Sequence, residues 1–331
     1  MGMMSWEIEP GNGFWLPQIG WRLDAWRPSA RSFVSHAHSD HAAAHREVIC
    51  TAATARLLQA RIPGARIEHI LPFGHAEQLT DEASITLHPA SHVLGSAQCL
   101  IEHRRLGSLL YTGDFRLEAG SAAEACACPA ADVLIMETTF GMPRYVFPPT
   151  AKVMEDLKAF CRSAIAEGCV PVLYAYSLGK SQELMLGLGP AGFEFVLAPA
   201  TLRITQAYES LGVRFPCYLP FTPMEAAGRV LICPPPPGSA ALLNALPRRR
   251  TAFVSGWALD RSAIYRTGAD AAFPLSDHAG FPDLLKFVDR VRPKLVYTVH
   301  GFAREFASAL RSRGYEAWAL GTDNQLDLGL T

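Results

Sequence analysis

A chain of 331 residues, 49% hydrophobic and 18% charged, holds enough apolar material for one large domain or two modest ones. Its formal net charge of −1 excludes a disordered tail composition and a globally basic surface, so a polyanionic ligand must be gripped locally. The cations are mostly arginine, the better bidentate phosphate holder, with lysine only at Lys152, Lys158, Lys180, Lys286 and Lys294.

In chain order, short apolar runs bounded by turn residues predict strands at 13–16, 21–25 and 31–34. The third runs into Phe33-Val34-Ser35-His36-Ala37-His38-Ser39-Asp40-His41, three imidazoles and a carboxylate within six residues. His36 and His38, two apart on extended backbone, point to the same side. Asp40 and His41 follow after a turn, so the four groups can serve two adjacent ions. Neutral imidazole with carboxylate suits zinc and, less tightly, manganese. The plain alternative, a polar loop with scattered histidines, is weaker because four potential ligands occur in one order. Asp24, just upstream, can anchor this loop from behind.

A helix over 51–61 follows, with Thr51 or Thr54 as cap and Pro63-Gly64 as stop. Strands are predicted at 67–71, 85–89, 98–102, 108–112 and 133–137. Three further ligand candidates sit at strand ends. His92 lies in Ser91-His92-Val93-Leu94-Gly95-Ser96, Asp114 follows Gly113 where a carboxylate can bridge two ions, and His300 precedes Gly301 at the end of a strand at 295–299. A histidine at a strand end is more often an ordinary surface residue, but its repetition at strand C-termini shifts the balance.

Beyond Gly141 the texture changes to a long helix over 148–168, a strand at 170–174 and a helix at 180–188. This alternation predicts an inserted α/β unit with parallel strands, containing a rigid proline loop at 234–237. Strands at 252–255 and 295–299 and helices at 282–291 and 302–313 return the chain to its β-rich core. Eight cysteines without a CxxC pair do not form a disulfide framework. Cys50, Cys99, Cys161 and Cys169 read as small core residues, and Cys126 and Cys128 flank an alanine in a loop. With no basic-then-apolar leader and no stretch of membrane-spanning length, the expectation is a cytoplasmic protein that uses no membrane.

The motifs HAHSDH (36–41), SHVLGS (91–96), TGDF (112–115) and VHG (299–301) resemble the ordered ligand motifs of the metallo-β-lactamase fold. Glu137-Thr138-Thr139-Phe140-Gly141 resembles the acidic motif that opens a β-CASP insertion. Tyr176-Ser177-Leu178-Gly179-Lys180-Ser181-Gln182-Glu183, Ser255-Gly256-Trp257 and Leu275-Ser276-Asp277-His278 resemble that insertion's later signatures. Nearly the whole chain is covered, in the family's order, and is most similar to bacterial DNA ligase-associated exonucleases, relatives of the cross-link-repair nucleases.

The resemblance implies a four-layer αββα sandwich over 1–143 and 255–331 with a β-CASP α/β domain inserted over 144–254. It implies one ion on His36, His38 and His92, a second on Asp40, His41 and His300, and Asp114 between them. His278 then serves the departing sugar oxygen, with Glu137 holding its tautomer; a metal ligand or a supporting residue is the alternative for His278.

Ser177 and Lys180, at a helix entrance, suit a terminal phosphate, although a plain cap with a solvated lysine reads equally well. Ser255 and Gly256 add donors, and Trp257 either stacks a base or fills a seam. Arg248-Arg249-Arg250 is a further backbone contact or a solvated turn. The expected activity is 5′→3′ DNA exonuclease action in repair, with a DNA ligase and other repair proteins as partners. His300 departs from the cross-link-repair pattern and matches the RNA-processing one, leaving DNA and RNA open. A small-molecule hydrolase and a non-catalytic processing subunit are the other classes. The inserted unit counts against the first, and the full ligand set counts against the second.

Overall fold

The computed structural model describes residues 5–321 apart from Pro247 and Arg261. The chain divides into two compact units. One contains the residues up to Val146 and again from His278; the other runs from Phe147 to Asp277.

In the first unit, six strands lie side by side in chain order: Glu9–Gly11, Gly13–Leu16, Trp21–Leu23, Arg31–Phe33, Glu47–Cys50 and Ile67–Ile70. A second sheet has seven, in the spatial order Ala317–Ala319, Leu295–Val299, Val133–Glu137, Gly107–Tyr111, Ala97–His103, Ala83–Pro89 and Ala76–Thr80. Alternation decides how the sheets pack, because successive side chains on a strand face opposite ways. Leu109 and Tyr111 join Phe14, Leu16, Leu23 and Phe33 in the core between the two sheets. Leu110, between them in sequence, faces the other way, into a cluster with Leu284, Phe287 and Val288 of the helix Phe281–Val291 and Phe306 and Leu310 of the helix Ala303–Arg311.

The helix Ala52–Arg61 lies against Ile67–Ile70 of the first sheet and buries Leu57 and Leu58, completing an αββα order. Thr51 is its cap, accepting the Thr54 N–H at 3.1 Å.

The strands Gly107–Tyr111, Val133–Glu137 and Leu295–Val299 are mutually parallel neighbours. Ala83–Pro89 and Ala97–His103 are antiparallel to each other, and the latter is antiparallel to Gly107–Tyr111. The C-terminal ends of four strands of this sheet therefore share one rim, and His92, Asp114, Glu137 and His300 all lie at or just beyond those ends.

The second unit is a six-stranded, fully parallel sheet in the order Tyr218–Pro220, Phe195–Leu197, Val230–Cys233, Val170–Tyr174, Arg249–Val254 and Ala271–Phe273. Helix Thr150–Ala166 and helix Lys180–Leu188 pack on one face through Leu157, Cys161, Leu184 and Leu188. The sequence reading returns the chain to the first unit at residue 255, but the return comes after Asp277. The reason is a strand it omits: Ala271–Phe273 pairs in parallel with Arg249–Val254, so the segment between them stays with the second sheet. Among the described residues, no helix is long and apolar enough to cross a membrane.

Candidate metal centre

The loop after Arg31–Phe33 carries the first histidines, and its shape is held from behind. Asp24, itself at a positive φ of 47°, accepts the Ser35 N–H on Oδ1 at 2.7 Å. Its Oδ2 accepts the Ser35 hydroxyl, the Tyr111 hydroxyl at 2.8 Å and His41 Nδ1–H at 2.8 Å. Ser35 Oγ, having given its proton to Asp24, accepts from His36 Nδ1 at 2.9 Å. These bonds orient both rings, so the Nε2 atoms of His36 and His41 face the site. Tyr111 and Ser35 escape a motif search because one is an apolar-strand residue and the other a loop serine. The available signal is that a phenol buried in a core needs a polar partner.

The remaining donors converge on those nitrogens. His36 Nε2 lies 2.9 Å from His38 Nδ1, which lies 3.1 Å from His92 Nε2. Asp114 Oδ2 stands 3.6 Å from His36 Nε2, 3.8 Å from His92 Nε2 and 3.2 Å from His41 Nε2. One ligand atom from each of His36, His38, His92 and Asp114 fits within a 4.8 Å span. Ligands at about 2.0–2.1 Å around a tetrahedral ion stand roughly 3.3 Å apart, and the observed spacings bracket that value. The donor set is a divalent-cation site, and Asp114 reaches from it to His41.

Burial and the neighbouring imidazoles hold His36 well below the ordinary histidine pKa, which keeps its lone pair available. At His41 burial acts downward, but the carboxylates of Asp114 and Asp40 outweigh it and raise the pKa well above the ordinary value. The positive charge that this pocket favours is one a metal ion can supply.

The rest of the expected second ion shell is looser. Asp40 Oδ2 is 3.6 Å from His41 Nε2 on a largely solvent-facing side chain, and the His300 ring is centred 5.5 Å from that of His41. Asp24, Ser91 and His300 are three of the four non-glycine residues with positive φ among those described, and all three sit on the loops of this site. Such backbone is costly and persists where the surrounding structure over-determines it. Gly113 shows how tight the packing is: a Cβ there would come within 2.5 Å of Ser35 Cβ.

Beside the donors lies a second constellation. Glu137 is fully buried; its Oε1 accepts the Phe115 N–H at 3.1 Å and His278 Nδ1–H at 2.8 Å, and its Oε2 accepts the Thr139 N–H at 3.1 Å. His278 is partly exposed, and its ring is centred 4.6 Å from that of His92.

Residues 271–320 match the family described as the Zn-dependent metallo-hydrolase RNA specificity domain. Over 99% of its length the chain is 56% identical to a probable DNA ligase from Opitutus terrae. These matches support a relationship to the β-CASP metallo-β-lactamase nucleases.

Over 85% of its length the chain is 28% identical to the 5′ exonuclease Apollo of Gallus gallus, and over 36% it is 32% identical to the transcription termination factor FttA of Methanothermobacter thermautotrophicus. The chain spans 32% of the ligase and 62% of the exonuclease. In fold it is similar, with a TM-score of 0.59 at 14% identity, to a protein of unknown function from Enterococcus faecalis, covering 88% of this chain and 79% of that one.

The β-CASP unit's own motif residues are placed differently from a free anion grip. Lys180 was expected to offer its charge to a terminal phosphate, yet it is fully buried, with Nζ 2.9 Å from Glu183 Oε2 and 3.8 Å from Asp277 Oδ2. Its charge is met internally, so it organises its loop and is not a solvated cation. The Gly179 N–H at the helix entrance is also taken, donating to Gln182 Oε1 at 2.8 Å.

Ser177 is half-buried, its carbonyl accepting from Gln182 Nε2 at 3.1 Å. Ser255 Oγ caps the short turn Gly256–Leu259 by accepting the Trp257 N–H, and Trp257 packs partly buried against the cluster around Tyr174 and Phe253. The three arginines bind their own unit: Arg248 the Glu167 carbonyl, Arg249 the Leu243 and Leu246 carbonyls, Arg250 the Ser163 hydroxyl and Glu167 carboxylate.

Proposed function

We propose that this chain hydrolyses phosphodiester bonds in DNA from the 5′ end, as a repair exonuclease of the cytoplasm. In this reading it uses two divalent ions, zinc foremost and manganese second. His36, His38 and His92 would hold one and Asp40, His41 and His300 the other, with Asp114 as a ligand of the site. When bound, such ions activate a water and neutralise charge on the phosphate. The observation that carries the reading is the Glu137–His278 pair standing beside the ligand cluster, because a pure metal-storage site needs no proton donor.

The chain's own residues divide the remaining work. Asp24 and Ser35 keep His41 and His36 oriented with Nε2 toward the site. Glu137 holds Nδ1–H of His278, which makes Nε2 the atom that gives a proton to the departing sugar oxygen and strengthens its hold on that proton beforehand. Ser177, Ser255, Gly256 and Trp257 are the candidates for contact with the strand, with Lys180 shaping the loop that carries Ser177. The likeness to a ligase-named protein and to a 5′ exonuclease supports DNA as substrate and a DNA ligase and other repair proteins as partners.

RNA processing is the second reading. His300 and the match of residues 271–320 to an RNA specificity domain favour it. End-labelled single-stranded DNA and RNA, each with a 5′-phosphate or 5′-hydroxyl and with zinc or manganese, separate the two. Mononucleotide release from 5′-phosphorylated DNA supports the proposal. Preferential cleavage of RNA, or cleavage of circular strands, supports the alternative.

A further inference from the structure

The segment between the strands Gly107–Tyr111 and Val133–Glu137 contains two thiols that the hydrolytic site does not use. Cys126 and Cys128 stand two apart in sequence, both only partly buried, and the Cys126 thiol donates to the Ala127 carbonyl at 3.3 Å. Arg290 Nη1 lies 3.9 Å from Cys128 Sγ, and Gln98 Nε2 lies 3.6 Å from Cys126 Sγ. The neighbouring Cys126 side chain, with the Arg290 guanidinium and the charge of Lys286, brings the Cys128 pKa down to about 6. Cys126 is correspondingly pushed up, keeping its proton. One thiolate beside one thiol, in reach of solvent and next to a cation, is the arrangement of a reactive dithiol.

The same segment grips the His92 loop at both ends. Ala127, between the two cysteines, donates its N–H to the Pro89 carbonyl at 3.0 Å, and Glu124 Oε2 accepts the Gly95 N–H at 2.9 Å. Gln98 Nε2 ties the Pro89 carbonyl (3.0 Å) to the Ala127 carbonyl (2.8 Å). A sulfur–sulfur bond closing over Ala127 must change the backbone of that residue, and with it the anchor of a loop that starts three residues before His92.

We propose that Cys126 and Cys128 are a peroxide-oxidised dithiol whose closure to a disulfide loosens the His92 loop. The Cys128 thiolate attacks a peroxide oxygen, so an S–O bond forms, the O–O bond breaks and hydroxide leaves. The Cys126 sulfur then attacks the Cys128 sulfenic sulfur; the S–S bond forms, the S–O bond breaks, and water leaves with the Cys126 proton. The two thiols give up two electrons and hydrogen peroxide becomes two waters. The inference stands whatever substrate the metal centre cleaves.

The test treats the full chain with hydrogen peroxide at near-stoichiometric amounts and maps the products by peptide mass spectrometry, with the exposed Cys217 as internal reference. The expected result is a two-hydrogen mass loss confined to the peptide holding Cys126 and Cys128, formed before Cys217 reacts and reversed by dithiothreitol. Cys126→Ser should stop at a one-oxygen adduct on Cys128, and Cys128→Ser should give neither product. Hydrogen exchange of residues 89–97 should be at least several-fold faster in the oxidised chain than in the reduced one. Oxidation of Cys217 ahead of the pair, or a Cys128→Ser chain that still reacts at Cys126 as fast, would overturn the dithiol. Unchanged exchange at 89–97 in the fully oxidised chain would overturn the coupling to the His92 loop.

Discussion

Asp24 Oδ2 accepts His41 Nδ1–H at 2.8 Å while Asp114 Oδ2 stands 3.2 Å from the opposite ring nitrogen, so one imidazole is clamped between two carboxylates. Replacing Asp24 by asparagine keeps the shape but removes the charge and one acceptor from a buried network shared with Ser35 and Tyr111. Loss of such a supporting carboxylate typically costs about 10–100-fold in metal affinity. Metal titration of Asp24→Asn should show that drop with the fold retained; wild-type affinity would separate Asp24 from the metal centre.

Gly113 has a positive φ of 54°, and an added Cβ would meet Ser35 at 2.5 Å. Gly113→Ala must push Ser35 away from Asp24 and His36. Its expected effect is weakened metal binding together with a lower melting temperature, read by metal titration and calorimetry.

The histidine part of the candidate cluster was legible because His36, His38 and His41 fall within six residues of one loop. Glu137 and His278 were different. They are far apart in sequence, and only the parallel pairing of strands and the return of the chain at His278 bring them together, so a family resemblance was needed to pair them. Strands with no alternation were missed for a physical reason: Glu47–Cys50 and Phe195–Leu197 are almost wholly buried short runs, and Glu9–Gly11 is an exposed polar edge. Lys180 misled because a lysine at a helix entrance says nothing about whether a carboxylate three residues on will fold back over it.

Lys180→Met removes the cation from its buried pair with Glu183. Breaking a buried pair from one side costs about 3–5 kcal/mol, so the urea midpoint of this variant should fall markedly. A variant of unchanged stability with selectively weaker cleavage of 5′-phosphorylated strands would return Lys180 to a direct phosphate role.

Metal should also stabilise the folded chain, since its ligands come from loops distant in sequence and are assembled only on folding. Saturation at 100 times the dissociation constant contributes about 2.7 kcal/mol. A melt in zinc against a melt in chelator should show a clear rise in midpoint with metal, and Asp40→Ala or His41→Ala should shrink that rise and abolish phosphodiesterase activity.

The division of labour between ligands and proton donor is tested most directly by His278→Ala, measured for bound metal and for single-turnover cleavage of 5′-phosphorylated DNA in the same preparation. His278 is committed through Nδ1 to Glu137, so the account predicts wild-type metal content with a chemical rate lower by about 10²–10⁴-fold. Loss of one ion from the variant, or a cleavage rate unchanged with metal in place, would contradict it.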